Sequence, residues 1–374
     1  MKFSAQRESL LTPLQHVFGA VERRQTSPVL GNVLLHADNG LLTITATDTE
    51  IEMQAKADLH IDADGEVTVP ARKLLDICKY LPDSARVDFD STGDKVKFNS
   101  GRSRFTLATL PAAEFPKVDE LVDAQEVTLT AEQLHHCIRS TSFSMAQQDV
   151  RFYLNGMLLE IGSGRLSCVA TDGHRLAYAQ CETDADPESP VRAIIPRKSV
   201  NELQRLLGTA DAAENVRLRV TPQHLQVQMG DVRLTTKLID GRFPDYNRVI
   251  PIDGNKELLI DSATLKQSLT RASVLSNEKY RGVRLALESG ILTISSNNPD
   301  QEEAIDELEV EYTGDSAEIG FNVTYLLDVL NSLETENARI VLKDGNSSVL
   351  VTPDQSGDGD SNTVSKYVVM PMRL

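Results

Sequence analysis

Tryptophan is absent from the 374 residues, and all aromatic residues together make up only 5%. The cores are therefore expected to rest on Leu, Val and Ile. The four cysteines, Cys78, Cys137, Cys168 and Cys181, lack C-x-x-C spacing and read as buried thiols in a reducing compartment. No stretch approaches 18 apolar residues, which excludes a membrane-spanning helix. The opening Met1-Lys2-Phe3-Ser4-Ala5-Gln6-Arg7-Glu8 reaches charge before a signal-peptide core could form, so a cytoplasmic location is expected. Basic residues are also in deficit, with 38 Lys and Arg against 55 Asp and Glu, net −17. That excludes a protein that coats nucleic acid with its whole surface, but not one with a local basic face. There is no P-loop and no G-x-G-x-x-G; Gly162-Ser-Gly164 lacks the third glycine. The seven histidines never form H-x-x-x-H, and the adjacent His135 and His136 point different ways on a helix. Asp354, Ser356, Asp358 and Gly359 imitate the start of a calcium loop, but its twelfth position would be Ser365, not the bidentate Glu. No metal or cofactor is expected.

What is present is repetition. Asp38-Asn-Gly-Leu-Leu-Thr-Ile-Thr-Ala-Thr-Asp48 resembles Gly164–Asp172 and Gly290–Asn298, with the glycines Gly40, Gly164 and Gly290 spaced by 124 and 126. Upstream, Gly31, Gly156 and Gly282 each open a strand-like run, 125 and 126 apart. Downstream, Val69-Pro70-Ala-Arg-Lys recurs as Ile195-Pro196-Arg-Lys, and again, without proline, at Phe321-Asn322. Arg104-Phe-Thr-Leu…Phe115-Pro116 matches Arg233-Leu-Thr-Thr…Phe243-Pro244. Four landmarks on one period point to a triplicated domain, with copies at 1–124, 125–250 and 251–374.

Most segments of each copy alternate with period two and stop at Gly, Asn or Asp. Two have helical spacing: Gln6–Phe18, Ala131–Phe143 and Ser262–Leu275 early in the copies, and Ala71–Leu81, Arg197–Leu207 and Asn322–Leu333 after the Val-Pro landmark. Ser262 is the expected cap of its helix. Each copy is thus about eight short strands and two helices, an α+β layer pair. Ser356-Gly-Asp-Gly-Asp-Ser-Asn362 reads as an exposed hairpin loop.

Acid is unevenly spread. The first copy carries 14 basic and 19 acidic residues, the second 14 and 15, the third 10 and 21. Arg7, Arg72, Lys73, Lys79, Arg139, Arg197, Lys198, Arg205, Lys266 and Arg271 mark the helical segments, and Arg23-Arg24 follow the first. Ordinary solvated faces would account for one such helix; recurrence at matching places suggests basic helices facing one way.

Thr171-Asp-Gly-His-Arg175 offers two readings. Asp172 and His174 could form a catalytic pair, yet neither a nucleophile nor an orienting group accompanies them. The first-copy counterpart of His174 is Glu50, so the turn reads as structural, with His174 and Arg175 on a binding rim beside Leu176.

The sequence resembles the bacterial DNA polymerase III beta subunit, the replication sliding clamp. The likeness runs through the whole chain and is most specific at Val69–Lys73, Gly101–Phe105, Gln148–Gly156, Ala170–Leu176, Asp240–Tyr246, Leu275–Arg284 and Tyr367–Leu374. It implies three tandem clamp domains and a head-to-tail homodimer closed as a ring, helices lining the hole and sheets outside. It implies a non-catalytic processivity factor encircling duplex DNA. Its partners would be the polymerase III alpha subunit, the clamp loader, and other polymerases and repair proteins that carry clamp-binding peptides.

Carried over residue by residue, the resemblance implies a partner-peptide pocket at Leu154, Thr171, Gly173, His174, Arg175, Leu176, Pro244, Arg248, Val249, Asn346, Ser348, Val368, Val369, Met370, Pro371, Met372 and Arg373. Flexible Met beside Leu, Val and Pro suits an adaptable apolar slot. DNA contact would fall on Arg24, Arg72, Lys73, Gln148, Arg151, Phe152, Tyr153 and Arg197. The family pattern has two tyrosines where this chain has Phe152-Tyr153, and two arginines where it has Asn247-Arg248. Dimer contacts would set Arg72, Phe105 and Leu107 against Val274, Leu275, Asp300, Gln301, Glu302 and Glu303 of the partner, a basic edge on an acidic one. Two other readings stand beside this one: an enzyme acting on a small acidic substrate at His174–Arg175, and a monomeric scaffold without DNA.

Overall fold

The computed structural model describes residues 1–21, 27–252, 254–312, 314–354 and 363–373. Arg23, Arg24 and the Ser356–Asn362 run lie outside the described residues. The first repeat runs β1 (Lys2–Gln6), α1 (Arg7–Val17), β2 (Asn32–Asp38), β3 (Leu41–Thr47), β4 (Ile51–Asp58), β5 (His60–Ala63), β6 (Gly65–Pro70), α2 (Ala71–Tyr80), β7 (Arg86–Thr92), β8 (Lys95–Ser100) and β9 (Ser103–Ala108). The second runs β10 (Gln125–Thr130), α3 (Ala131–Arg139), β11 (Gly156–Gly162), β12 (Arg165–Thr171), β13 (Arg175–Glu182), β14 (Val191–Pro196), α4 (Arg197–Leu207), β15 (Asn215–Val220), β16 (His224–Met229) and β17 (Val232–Lys237). The third runs β18 (Lys256–Asp261), α5 (Ser262–Ser273), β19 (Gly282–Glu288), β20 (Ile291–Asn297), β21 (Glu303–Glu309), β22 (Ala317–Asn322), α6 (Val323–Ser332), β23 (Asn337–Leu342), β24 (Val349–Pro353) and β25 (Thr363–Val369). The element order is the same in all three, save that the first repeat adds the short β5.

The chain divides into two compact units, and the second repeat is split between them. One unit holds Met1–Ala131 and Arg205–Leu238; the other holds Glu132–Gln204 and the chain from Ile239 onward. The reason is strand pairing. In the first unit β17 continues the edge of β4, Val232 opposite Ala55 and Thr236 opposite Ile51. In the second, β25 continues the edge of β13, Arg175 opposite Val369. Each unit is thus built on an eight-stranded antiparallel sheet that crosses a repeat boundary: β10-β15-β16-β17-β4-β3-β2-β6 in the first and β14-β11-β12-β13-β25-β24-β23-β18 in the second. A smaller sheet completes each, β5-β1-β7-β8-β9 and β21-β20-β19-β22.

Several expectations are corrected. The cores do rest on Leu, Val and Ile, but the first unit adds a phenylalanine stack, Phe3 on Phe89 at 4.7 Å and Phe98 edge-on to Phe89 at 6.5 Å. Asp261, not Ser262, caps α5, its carboxylate accepting from the Thr264 N–H at 2.7 Å. The α5 helix ends at Ser273 because the Val274 N–H bonds to the Arg271 carbonyl, which tightens the last turn and leaves Leu275 beyond it. Ala131–Phe143 likewise breaks after Arg139 and resumes as a 3-10 turn at Ser142–Ser144. Asn32, not Gly31, matches Gly156 and Gly282, since these three stand opposite Pro70, Pro196 and Asn322. At Gly156 the fit demands glycine: a Cβ would lie 2.6 Å from the Ile195 carbonyl oxygen. Arg7 presents no basic face. Its guanidinium donates to the Cys78 carbonyl at 2.7 Å and pairs with Asp83, tying α1 to the far end of α2.

Candidate functional site

The Thr171–Arg175 turn is built from its own side chains. The Thr171 hydroxyl donates to the Arg175 carbonyl at 2.6 Å and accepts from the Gly173 N–H at 3.1 Å. One Asp172 carboxylate oxygen accepts from the backbone N–H groups of His174 and Arg175 at 2.9 and 3.0 Å. Gly173 sits at φ +88°, where a Cβ would also strike the Arg151 guanidinium. Asp172 is thus occupied in closing the turn and in an ion pair with Arg175 at 3.2 Å. This overturns the Asp172–His174 catalytic pair: the carboxylate holds the His174 backbone, not its imidazole. The His174 ring is exposed and stacks on Tyr325 with centroids 6.4 Å apart.

Arg175 is not on a rim. Its side chain is nearly buried, bonding Asp328 at 2.5 Å and the Phe143 carbonyl at 2.7 Å. The guanidinium also lies over the Tyr325 ring, 4.6 Å from its centroid. All of its charge is spent on joining the turn to α6 and to the end of α3's segment.

Beside the turn is an apolar cluster of Leu158, Val169, Leu176, Ile194, Phe243 and Val368, with half-buried Tyr153, Tyr178, Tyr246, Val249 and Leu350 against it. Tyr178 and Tyr246 stack at 5.7 Å, and the Tyr246 hydroxyl donates to Glu160 at 2.7 Å. Burial, with Glu160 as its partner, pushes the Tyr246 pKa up, so the hydroxyl keeps its proton. The chain after β25 is held by its backbone to the His174 turn and to β22. Met370 N–H donates to the His174 carbonyl at 2.9 Å and Met372 N–H to the Gly320 carbonyl at 2.8 Å.

Of the expected pocket residues, Leu154, Leu176, Val368 and Val369 are fully buried beneath the surface. Thr171, Gly173, Pro244, Val249, Ser348, Pro371 and Met372 are half-buried, and His174, Arg248, Asn346, Met370 and Arg373 are exposed. Leu176, Val249 and Val368 share one cluster, and His174 meets Met370 through the backbone. Tyr325, Tyr246 and Phe243 are site residues that sequence reasoning missed. The recurrence of Phe243-Pro244 was a signal for one of them; nothing local marks Tyr325.

The expected DNA residues fall into two groups. Arg24 lies outside the described residues. In the first unit Arg72 and Lys73 are exposed on α2, Arg72 paired with Asp76 at 3.0 Å and lying over the Phe18 ring. In the second unit Gln148, Arg151 and Phe152 form an exposed segment, Phe152 57% exposed and Arg151 paired with Asp149 at 2.8 Å. That pairing, chiefly a hydrogen bond from Arg151, lowers the Asp149 pKa to about 2. Tyr153 instead packs into the apolar cluster, and Arg197 donates to the Met145 carbonyl at 2.7 Å.

Each unit also leaves a strand edge open. In the first, β9 borders its sheet, with Arg104 exposed, Phe105 half-buried and Leu107 buried. In the second, β21 borders its sheet, with Glu303, Glu307 and Glu309 exposed around Ile305. Asp300, Gln301 and Glu302 precede it, all exposed, and Val274 is 77% exposed.

Three family models match the sequence: the DNA polymerase III beta subunit N-terminal domain at 1–119, central domain at 128–245 and C-terminal domain at 247–373. The chain belongs to the beta sliding clamp family. It is 49% identical to the beta sliding clamp of Pseudomonas aeruginosa and 48% identical to that of Escherichia coli K12, each aligned over the full length of both chains. A crystal structure of the Pseudomonas aeruginosa clamp bound to griselimycin superposes with a TM-score of 0.94 at 48% identity, covering all of both chains. Its function is therefore that of a DNA clamp, carried by three tandem clamp domains.

The clamp repeat extends to single hydrogen bonds. In the first domain Thr47 donates to the Ile51 carbonyl and Asp48 accepts from Glu50 and Ile51, as Thr171 and Asp172 do in the second. In the third, Asn298 accepts from the N–H groups of Asp300 and Glu302, in a turn one residue longer.

Proposed function

We propose that two copies of the chain close head to tail into a ring around duplex DNA, β9 of one copy against β21 of its partner. The observation that carries this is the pair of open, unlike edges. An unpaired strand edge invites another chain. One edge carries Arg104 and Phe105, the other three glutamates and Ile305, which is 60% exposed. Edges of opposite charge steer correct pairing. Unlike patches joined head to tail generate a ring when the rotation closes. Phe105, Val274 and Leu275 would bury the apolar part of this interface, backed by the already buried Leu107, with Arg72 and Asp300–Glu303 at its rim. The domain boundaries we assign are 1–124, 125–250 and 251–374.

Arg72, Lys73, Gln148, Arg151 and Phe152 would contact the duplex, together with Arg24, while Tyr153 and Arg197, turned inward, would hold their segment in place. Few and exposed cations hold DNA loosely, which permits sliding, while a closed ring prevents escape. The protein would be a non-catalytic cytoplasmic processivity factor. The cluster beside His174 and Met370 would dock peptides of the polymerase III alpha subunit, the clamp loader and other replication and repair proteins. Leu154, Leu176, Val368 and Val369 would form its floor, Thr171, Gly173, Pro244 and Val249 its wall, and Arg248, Asn346, Ser348, Pro371, Met372 and Arg373 its margin. Arg175 would position the turn without touching the peptide. The test is retention on DNA after loading by an ATP-driven loader. The protein should persist on nicked circles and run off once they are linearised; equal lifetimes on both would sink the ring.

A further inference from the structure

We propose that the first unit carries a second peptide-docking site, a cleft at the seam between the first and second repeats that accepts an extended segment combining apolar and basic side chains. The cleft encloses about 570 Å³ between the Thr47–Thr49 turn, the strap 116–123, the Thr221–His224 turn and Lys237. Its frame shares a backbone bond with that of the later seam. The Lys237 N–H donates to the Glu50 carbonyl at 2.9 Å, as the Met370 N–H donates to the His174 carbonyl at 2.9 Å. The strap follows Phe115-Pro116 as the later wall follows Phe243-Pro244. Here Glu52 stands where the later seam has Leu176. Its buried carboxylate accepts from the Val118 N–H at 3.0 Å, so the strap is pinned and the cleft is preformed. Preformed concave sites with a few fixed polar groups are what short ligands select.

The charge on the walls decides the class of occupant. Both lysines of the cleft are already paired, Lys117 with Glu66 at 2.5 Å and Lys237 with Glu50 at 3.1 Å. Asp119, Glu120 and Asp123 make no ion pair among the described residues. Val122 beside them is 75% exposed. In the register set by Phe115-Pro116 and Phe243-Pro244, Asp119 and Glu120 are replaced at the later seam by Asn247 and Arg248, and Arg248 is paired with Asp245 at 3.0 Å. The earlier cleft therefore offers three carboxylates and an uncovered valine, which a cation next to an apolar side chain satisfies together. The peptide class of this occupant rests on the reading of the later seam as a peptide slot.

The test is fluorescence anisotropy of a labelled Lys-Leu-Arg-Leu-Phe-Arg hexapeptide on the full-length protein. Saturable binding is expected, weakened at least tenfold by Asp119→Lys with Glu120→Lys and by Val122→Asp. It should change less than twofold in Asp184→Lys with Asp186→Lys, which alters net charge equally at exposed positions of the other unit. Met370→Ala should also leave it within twofold, while a polymerase-derived apolar peptide loses affinity in that variant. Absence of binding, equal weakening by both charge reversals, or loss in Met370→Ala overturns the second site. Circular dichroism of the strap variants guards against misfolding, and wild-type affinity for the apolar peptide in them shows the later slot intact. If the apolar peptide alone fails, the later slot is wrong and this cleft stands on its own binding.

Discussion

Arg175 of β13 and Asp328 of α6 meet at 2.5 Å although 153 positions separate them in sequence. Their contact fastens the turn that presents His174 to the helix that carries Tyr325, beside the proposed peptide slot.

Removing the guanidinium strands two carboxylates and the Phe143 carbonyl. Breaking a pair this buried costs about 3 kcal/mol, and somewhat less here because Asp328 is a third exposed. Arg175→Ala is expected to lower urea stability by about 2 kcal/mol or more and to weaken apolar-peptide binding. A change under ~0.5 kcal/mol, the range of ordinary surface substitutions, would show the pair to be incidental.

At the proposed dimer edge, Val274→Ala with Leu275→Ala removes apolar area that is uncovered in one chain. Val274 lies past the end of α5 and supports no core of its own. Buried anchors at interfaces commonly contribute about 2 kcal/mol or more each. Sedimentation of the double variant at low micromolar concentration should give monomer mass with unchanged circular dichroism. Persistence of the dimer would place the interface elsewhere.

Deleting the chain from Met370 onward should abolish stimulation of the polymerase and peptide binding while leaving dimer mass unchanged. β25 ends at Val369, so the sheet keeps all its strands. The loss of the Met370 and Met372 backbone bonds, about 1 kcal/mol each, should lower the melting temperature only slightly. Peptide affinity surviving the deletion would refute the slot; failure to fold would make the tail structural.

All four thiols should be inert in the native protein. Burial pushes Cys78 up to about 12, and the neighbouring Cys168 thiol, with burial, raises Cys137 well above its ordinary value. The thiolate is the reactive form. Iodoacetamide at pH 8 should therefore label nothing until guanidinium exposes four groups; rapid labelling of any one would mean local opening around it.

The sequence by itself determined the triplication, the strands and helices of each copy, and the structural character of the Thr171–Arg175 turn. These follow from local periodicity, from proline and glycine placement, and from side chains that bond their own backbone within four residues. The family likeness carried the candidate residues and their expected roles, but not which of them fold inward. Only the tertiary structure decided that β17 extends the sheet of β4 and β25 that of β13, since edge pairing joins segments far apart in sequence. The same holds for the cations. Arg7, Arg175 and Arg197 read as surface charge, because sequence shows a guanidinium but not its distant partner; folding turned each inward onto carbonyls and carboxylates. Tyr153 was drawn into an apolar cluster for the same reason, its neighbours being supplied by other strands.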